Sequence, residues 1–313
     1  DHDVGLHVDC CLGGFVLPFA RAAGLLPDCP AFDFSVRGVT SMSCDTHKYG
    51  YALKGSSVCL YGSSALRQAQ YFCYADWTGG LYTTPTLAGS RSGGLIAQCW
   101  ASMVAVGRAG YQENARAILA TARTIAQGVL AIPGLRLLGD AKTMVVCVAG
   151  AEATPLAGGA PVHVNIYSVN DAMTRRGWAL NGLQVRLTAR TSEESAGGSC
   201  SCSFFFFSSL LPSFPRFLPP RIDTCPRQLP YPLALPRLRP CPKNPACLHL
   251  CCTLRHVGRE ALFLSDLREA VEEVLADPSK MTGGAAIYGM TASLPPGPVN
   301  HLLRSYNDIV LKV

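Results

Sequence analysis

The clearest candidate for chemistry in this sequence is Lys48, which lies in the stretch Ser41–Tyr51. Small and β-compatible residues from Val39 to Cys44 predict a short buried strand, and the polar and glycine residues after it predict a sharp turn. Lys48 stands on that turn beside His47 and within a few residues of Lys54. Because desolvation and a like-charged neighbour both lower the pKa of an amine, we expect Lys48 to be nucleophilic near neutral pH. Lys48 is a candidate Schiff-base lysine, and the alternative is a loop lysine without a chemical role.

A carboxylate ends a second predicted strand, Gly5–Asp9. Open α/β sheets bind their ligands at the carboxyl ends of their strands, where Asp9 stands. Enzymes that use pyridoxal 5'-phosphate (PLP) need a lysine that binds the aldehyde and a carboxylate that keeps the ring nitrogen protonated. Lys48 and Asp9 supply these two residue types from two predicted strands. The pair therefore indicates a PLP site.

Three long motifs contain these residues: HVDxCLGGF from His7, DTHKYGYxxKGSS from Asp45 and DWxGGxYxxPTxxGSRxGG from Asp76. In this order and spacing they resemble the sphingosine-1-phosphate lyase family, whose members are PLP-dependent enzymes of the group II decarboxylase type. The match runs over residues 5–184 and resumes over residues 244–290. On these motifs the sequence is identified as a relative of that family.

The resemblance implies a fold and an organisation. The fold would be the α/β fold of PLP-dependent transferases, aspartate aminotransferase type I, with part of a large domain and a small C-terminal α/β domain. Residues 1–131 would belong to the PLP-binding large domain, and residues 132–184 and 244–313 to the small domain. The parent enzyme would be a homodimer on the cytosolic face of the endoplasmic reticulum membrane. Because the chain begins at Asp1, we expect it to lack the membrane anchor and several pocket residues of the family.

The resemblance also assigns roles to individual residues. Lys48 would bind PLP covalently, Asp9 would face the ring nitrogen, and His47 would lie against the cofactor phosphate. Lys54 would bind the substrate phosphate, because a flexible ammonium is a suitable counter-charge for phosphate. The remaining cofactor-binding positions would be Cys10, where the family has alanine, and Ser90 and Gly93 in a loop at the dimer interface.

The reaction implied by the resemblance is the retro-aldol cleavage of a lipid phosphate. A phosphorylated sphingoid base, such as sphingosine 1-phosphate, would be cleaved to a long-chain aldehyde and phosphoethanolamine. Two alternatives stay open. One is a related PLP-dependent amino-acid decarboxylase, and the other is an inactive, incomplete product in which only a proline-rich segment binds a partner.

Charge and cysteine content argue against other classes of function. The net charge is +6, but residues 185–243 contain eight basic and three acidic residues, so the rest of the chain is nearly neutral. We therefore expect no nucleic-acid partner. The 15 cysteines stand mostly in apolar contexts and lack the paired spacing of a zinc site, so we expect buried thiols and no metal. No apolar run reaches the roughly 20 residues that a membrane-spanning helix needs.

Residues 185–243 interrupt the family pattern. The run Phe204–Phe207 has neither helical nor strand period, and prolines recur every few residues through Pro245. A proline-rich ligand for SH3-type domains and a disordered linker are two interpretations. A third explains more, because Phe, Ser, Leu and Pro are what pyrimidine-rich codons encode. Val185-Arg186 can be encoded by a splice-donor-like GTGAGG and Lys243 can end in AG, so we interpret this segment as a translated intron.

Hydrophobic periodicity predicts the elements around these features. The predicted helices are Ala65–Tyr71, Leu95–Val106, Gln112–Leu130, Ile166–Arg176, Ala261–Ala276 and Val299–Leu311. The further predicted strands are Val58–Tyr61, Leu135–Leu138, Met144–Ala149, Trp178–Leu183 and Ala246–Thr253. We expect the strands Gly5–Asp9 and Val58–Tyr61 to be buried, like residues 39–44. We predict a long ordered loop over Trp77–Gly94, and we expect the last two strands to be neighbours despite the segment between them.

Overall fold

The computed structural model describes residues 4–151, 163–183 and 246–277, together with His301, Arg304 and Ser305. The predicted insert, residues 185–243, lies outside the described residues, as does most of the predicted last helix. The described residues up to Asp277 belong to one compact unit formed by Asp1–Leu183 and Ala246–Thr291. The division into a large and a small domain at residues 131 and 132 stays a prediction.

Each helix and strand predicted within the described residues up to Asp277 is present, and several are shorter than predicted. The strands are β1 (Leu6–Asp9), β2 (Val39–Cys44), β3 (Val58–Tyr61), β4 (Phe72–Tyr74), β5 (Tyr82–Thr84), β6 (Leu135–Leu137), β7 (Val145–Gly150), β8 (Asn181–Leu183) and β9 (Cys247–Cys251). The α-helices are α1 (Leu17–Ala22), α2 (Ser64–Gln68), α3 (Gly93–Leu130), α4 (Ile166–Arg175) and α5 (Glu260–Ala276).

The sheet that carries the candidate residues has the order β1-β2-β3, with β1 parallel and β3 antiparallel to β2. The prediction that these strands are buried is wrong for β1 and β3, in which Leu6 is 49% and Leu60 is 45% exposed. A strand is buried only where another layer covers it. Within the described part of the chain, the covering layer is a small apolar cluster around Met42, so most of β1 and β3 stays exposed.

A separate antiparallel hairpin is formed by β4 and β5. The prediction of a continuous loop over Trp77–Gly94 is therefore wrong at β5. The aromatic rings of Phe72 and Trp77 meet the Tyr82 ring edge-on, with centroids 6.0 Å and 6.1 Å away. Such aromatic contacts stabilise the hairpin. The sequence did not predict it, because many turn-forming residues surround these short strands.

The long helix α3 consists of two helical segments joined at Gly107, as the two predicted helices require. Gly107 has φ 61° and ψ 173°, which glycine adopts without the steric cost that other residues pay. After this kink α3 buries one face, on which Ile118 and Ile125 are almost fully enclosed. Before the kink Ile96 and Trp100 are 62% and 64% exposed, so only the second segment belongs to the main core.

The second sheet has the order β6-β7-β9-β8, and all its neighbouring strands are antiparallel. The predicted pairing of the last two strands is confirmed, because Leu183 in β8 lies opposite Cys247 in β9. One face of this sheet packs on α4, α5 and the second segment of α3 in a single apolar core. Within the three described ranges, no helix is long and apolar enough to cross a membrane.

Candidate active site

Asp9 and Lys48 lie at the same edge of the first sheet. Asp9, the last residue of β1, lies opposite Ser43 in the parallel strand β2, and Lys48 lies on the turn that follows β2. Cys11 lies close to both residues: its main-chain N–H donates to Asp9 Oδ1 at 2.9 Å, and both Asp9 and Lys48 influence the pKa of its thiol. The carboxylate and the amine predicted from the sequence are therefore brought together at the carboxyl ends of two parallel strands.

The Asp9 carboxylate is held by several hydrogen bonds. Its Oδ1 accepts from Cys11 N at 2.9 Å and from Ser43 Oγ at 2.8 Å. The ring nitrogens of His7 lie 2.8 Å from Ser41 Oγ and 3.3 Å from Ser43 Oγ, which orients this polar face. Partial burial raises the pKa of Asp9, but the hydrogen bonds and the nearby His7 outweigh burial and keep the pKa below its usual value. Asp9 is therefore ionised at neutral pH.

Lys48 forms an ion pair with Asp45, whose Oδ2 lies 2.8 Å from Nζ. Asp45 also accepts a hydrogen bond from Ser57 Oγ at 2.5 Å, and Nε2 of His47 lies 3.9 Å from its Oδ2. Burial lowers the pKa of Lys48, but the hydrogen bonds to Asp45 and Cys11 outweigh burial, so the pKa lies above its usual value. The prediction of a lowered pKa is wrong in this structure, because it counted the cationic neighbours of Lys48 and omitted the carboxylate.

The turn around Lys48 is closed by main-chain hydrogen bonds. Ala52 N donates to Thr46 O at 3.0 Å, and Tyr51 N donates to Lys48 O at 3.2 Å. A Cβ at Gly50 would lie 2.5 Å from Thr46 O, so a residue without a side chain is required there. The turn therefore has one tightly packed main-chain conformation.

The segment after the turn folds back over it. Thr46 Oγ1 donates to Ser56 Oγ at 2.7 Å, and His47 Nδ1 lies 2.5 Å from Ser56 O. Leu53 N donates to the Gln98 side chain at 2.8 Å, which links this segment to the first turns of α3. His47 is consequently held by its Nδ1, and its Nε2 is on the side of Asp45.

Two buried tyrosines fix the turn to the rest of the fold. Tyr111 in α3 donates its hydroxyl hydrogen to Gly50 O at 2.9 Å. Tyr49 donates its own to Cys252 O, just after β9, at 2.7 Å. Their side chains are 3% and 5% exposed.

The other predicted site residues are more dispersed. Lys54, Ser90 and Gly93 are exposed. Cys10 is buried with Met42 in the apolar cluster under the sheet, where burial raises the pKa of its thiol to about 11. The cofactor and phosphate roles of these four residues stay predictions.

Sequence reasoning missed three residues that organise this site: Cys11, Ser43 and Asp45. All three stood in or beside the recognised motifs, but no role was assigned to them. Strand alternation could have placed Ser43 on the face of Asp9, since the two residues occupy parallel neighbouring strands. Asp45 precedes Lys48 by three residues, a spacing at which side chains meet across a tight turn. Among the described residues, no group of His, Cys, Asp or Glu side chains could hold a metal ion.

The donor set at this edge fits PLP. Asp9 is an ionised, hydrogen-bonded carboxylate, which is what a protonated pyridine nitrogen needs as a partner. Lys48 is a primary amine on the same edge, in an ion pair with Asp45. The side chains that would bind the ring nitrogen and the aldehyde are therefore present together.

Solved structures define the class of fold. The glutamate decarboxylase of Lactobacillus brevis superposes on 86% of the chain with a TM-score of 0.54 at 16% identity, and the chain covers 47% of that structure. The sphingosine-1-phosphate lyase of Burkholderia pseudomallei superposes on 88% of the chain with a TM-score of 0.62 at 37% identity, with 47% of that structure covered. The chain therefore has the fold of the PLP-dependent decarboxylases.

Sequence comparison identifies the family of the chain within this class of fold. The sphingosine-1-phosphate lyase of Dictyostelium discoideum is 36% identical over 296 residues, which are 94% of this chain and 42% of that protein. The lyase of Oryza sativa is 37% identical over 309 residues, 98% of this chain and 44% of that protein. No protein-family model matches the chain. The chain is a homologue of the sphingosine-1-phosphate lyases and spans less than half the length of these relatives.

Proposed function

We propose that this chain is part of a PLP-dependent aldehyde-lyase that cleaves sphingosine 1-phosphate and related phosphorylated sphingoid bases. The observation that carries the proposal is the placement of Asp9 and Lys48 at the carboxyl ends of two parallel strands, at one edge of the sheet and both close to Cys11. Homology to sphingosine-1-phosphate lyases over more than nine-tenths of the chain supports this choice of substrate.

Each residue at this edge has a distinct task in the proposed reaction. PLP, when bound, accepts the electron pair released as the bond between C2 and C3 of the substrate breaks. Lys48 supplies the amine that holds the cofactor aldehyde, and Asp45 must release that amine from its ion pair first. Asp9 holds a proton on the ring nitrogen by remaining ionised, and Ser43 and Cys11 N keep its carboxylate in place. The C3 hydroxyl would lose its proton as this bond breaks, which gives the aldehyde product, and the Lys48 amine, once displaced by the substrate amine, would accept that proton.

Three further residues complete the proposed site. His47, whose Nδ1 lies 2.5 Å from Ser56 O, would contact the cofactor phosphate, as the family resemblance implies. Lys54 is an exposed cation in the segment that covers the lysine turn, so its ammonium is available to the substrate phosphate. Ser90 lies in the loop before α3 and Gly93 is the first residue of α3, and together they would contribute to the pocket.

We also propose that the parent enzyme is a homodimer. The first segment of α3 exposes Ile96, Trp100 and Val104, which recur every four residues and form one apolar stripe. An exposed apolar stripe of this kind is typical of a surface that contacts another subunit. Attachment of the parent enzyme to the cytosolic face of the endoplasmic reticulum belongs to the same proposal and rests on the family resemblance.

Covalent capture tests the cofactor site. The purified chain is mixed with PLP, reduced with borohydride, digested and mapped by mass spectrometry. We expect the pyridoxyl group on Lys48 and its loss in Lys48→Ala, whereas Lys54→Ala should retain it. Capture that survives Lys48→Ala and disappears in Lys54→Ala would contradict the assignment.

Product analysis tests the reaction class. A full-length version that carries these residues is given sphingosine 1-phosphate, and long-chain aldehyde and phosphoethanolamine are measured. A set of amino acids is tested in parallel for release of carbon dioxide. Aldehyde formation that requires Lys48 supports the lyase, carbon dioxide release indicates a decarboxylase, and neither product in the presence of bound PLP indicates an inactive protein.

A further inference from the structure

Tyr49 links the lysine turn to a distant part of the chain. It follows Lys48 directly, but its side chain points into the main core and is only 5% exposed. Its hydroxyl donates to Cys252 O at 2.7 Å, across a sequence separation of 203 residues. Burial raises the pKa of Tyr49 well above its usual value, so the hydroxyl keeps its hydrogen and remains a donor.

The acceptor of this bond belongs to the second sheet. Cys252 follows β9 directly, is fully buried, and donates its own N–H to Met144 O at 2.8 Å just before β7. β9 also pairs with β8, although residues 184–246 lie between these two strands. The position of Cys252 O therefore depends on correct pairing of β9 with β7.

We propose that Tyr49 is a positioning residue through which pairing of the second sheet controls how Lys48 presents its amine. The inference rests on the proposed PLP function and extends it to the control of the same lysine. The turn is short and closed between Thr46 and Ala52, so a displacement of Tyr49 moves Lys48 with it. Loss of the bond should loosen the turn and weaken the ion pair between Lys48 and Asp45.

The groups that face Lys48 determine the sign of the expected pH effect. Asp45 lies on the same turn, Cys11 comes from the segment after β1, and Cys251 at the end of β9 interacts with the Lys48 charge. His47 is the further titratable group near Asp45, and Asp9 is the further one near Cys11. Because the bonds to Asp45 and Cys11 raise the pKa of Lys48, a loosened turn should lower it.

Two lysine-specific reactions test the proposal on the whole chain. The first is capture of PLP by borohydride, and the second is acetylation by acetic anhydride as a function of pH, with each lysine quantified by mass spectrometry. The variant is Tyr49→Phe, which keeps the ring and removes the donor. The matched control is Tyr167→Phe, because Tyr167 in α4 is 6% exposed and donates to Leu183 O at the end of β8 at 2.6 Å, a buried bond that involves neither Cys252 nor the pairing of β7 with β9. Lys54 and Lys142 serve as internal controls.

We expect Tyr49→Phe to reduce PLP capture at Lys48 by roughly two- to tenfold, the change in an equilibrium that one buried hydrogen bond supports. We also expect the midpoint of Lys48 acetylation to move to lower pH, while Lys54 and Lys142 do not change. Tyr167→Phe should change neither the PLP capture nor the acetylation midpoint of Lys48. If Tyr49→Phe changed neither the PLP capture nor the acetylation midpoint of Lys48, or if Tyr167→Phe had an equal effect on them, the proposal would be overturned.

The acetylation arm separates this inference from the proposed function. If the unmodified chain captures no PLP at Lys48, the proposed cofactor site fails, but the acetylation midpoint still decides the role of Tyr49. If Tyr49→Phe does not fold, hydrogen exchange of the unmodified chain decides instead. The amides of Ala52 and Cys252 should then open together with the same dependence on denaturant, and independent opening of Ala52 would refute the coupling.

Discussion

Replacing Gly50 by alanine tests whether the lysine turn has a single packed conformation. The added Cβ would lie 2.5 Å from Thr46 O and 2.9 Å from Thr46 Cα. These are main-chain atoms of the turn itself, so the contact cannot be relieved by rotation of a side chain. The turn must open, which breaks the hydrogen bonds from Ala52 N to Thr46 O and from Tyr111 to Gly50 O.

The expected cost of Gly50→Ala follows from these contacts. Overpacking costs about 1–3 kcal/mol, and each lost hydrogen bond costs about 0.5–1.5 kcal/mol. We therefore expect the free energy of unfolding to fall by about 2–6 kcal/mol, a large share of the roughly 5–15 kcal/mol of a typical domain. Urea unfolding followed by circular dichroism measures the change, and PLP capture at Lys48 should decrease in parallel.

Gly94→Ala is the control for Gly50→Ala. Gly94 lies in the first turn of α3, and the nearest atom to its added Cβ is Ser92 Oγ at 3.8 Å, an ordinary contact. Alanine there should stabilise the chain by about 0.4–1 kcal/mol, because it restricts the unfolded chain without a clash. If the free energy of unfolding of Gly50→Ala lay within about 0.5 kcal/mol of that of the unmodified chain, a difference typical of neutral surface substitutions, the packed turn would be refuted.

Three further predictions concern the same site and the interrupting segment. Asp9→Asn keeps an acceptor for Cys11 N but loses the charge, so it should leave PLP capture in place and slow turnover by orders of magnitude; unchanged turnover would remove Asp9 from its role. Asp45→Asn removes the partner that raises the pKa of Lys48, so the acetylation midpoint of Lys48 should move to lower pH, and a shift to higher pH would contradict the ion pair. Deleting residues 185–243 should raise soluble yield and keep PLP capture. The deletion shortens the connection between Leu183 and Cys247 from 63 residues to four, which should stabilise the fold by about 2.5 kcal/mol. Unfolding of the deletion variant would refute the insert hypothesis.

Local sequence patterns predicted the elements of the fold well. Residues 39–44 and 58–61 combine apolar and β-compatible residues, and the structure has strands with these limits. Apolar spacing on either side of Gly107 predicted two helices, and a glycine with positive φ separates them. The pairing of β8 with β9 was predictable because the family pattern continued after the interruption, and sequential strands in compact domains are usually neighbours.

Burial and electrostatics were predicted less well, because they depend on residues that are distant in sequence or hidden by a turn. The apolar side chains of β1 and β3 indicated buried strands, but burial needs a covering layer that the strands themselves do not specify. The pKa of Lys48 depends on Asp45 and Cys11, and only the folded turn shows that both face the amine. The bond from Tyr49 to Cys252 joins residues on opposite sides of the interruption, and no local pattern predicts it.

Because β8 pairs with β9, the connection between these two strands is a suitable site for inserting a foreign sequence. Leu183 and Cys247 lie directly opposite each other, so the chain leaves the sheet and returns to it at adjacent places. Such adjacent ends are the geometry in which an inserted domain perturbs its host least. A fluorescent protein with closely spaced termini, joined at Gln184 and Asn244 in place of residues 185–243, would report on expression and assembly while leaving the sheet that contains Asp9 and the carboxyl terminus unmodified.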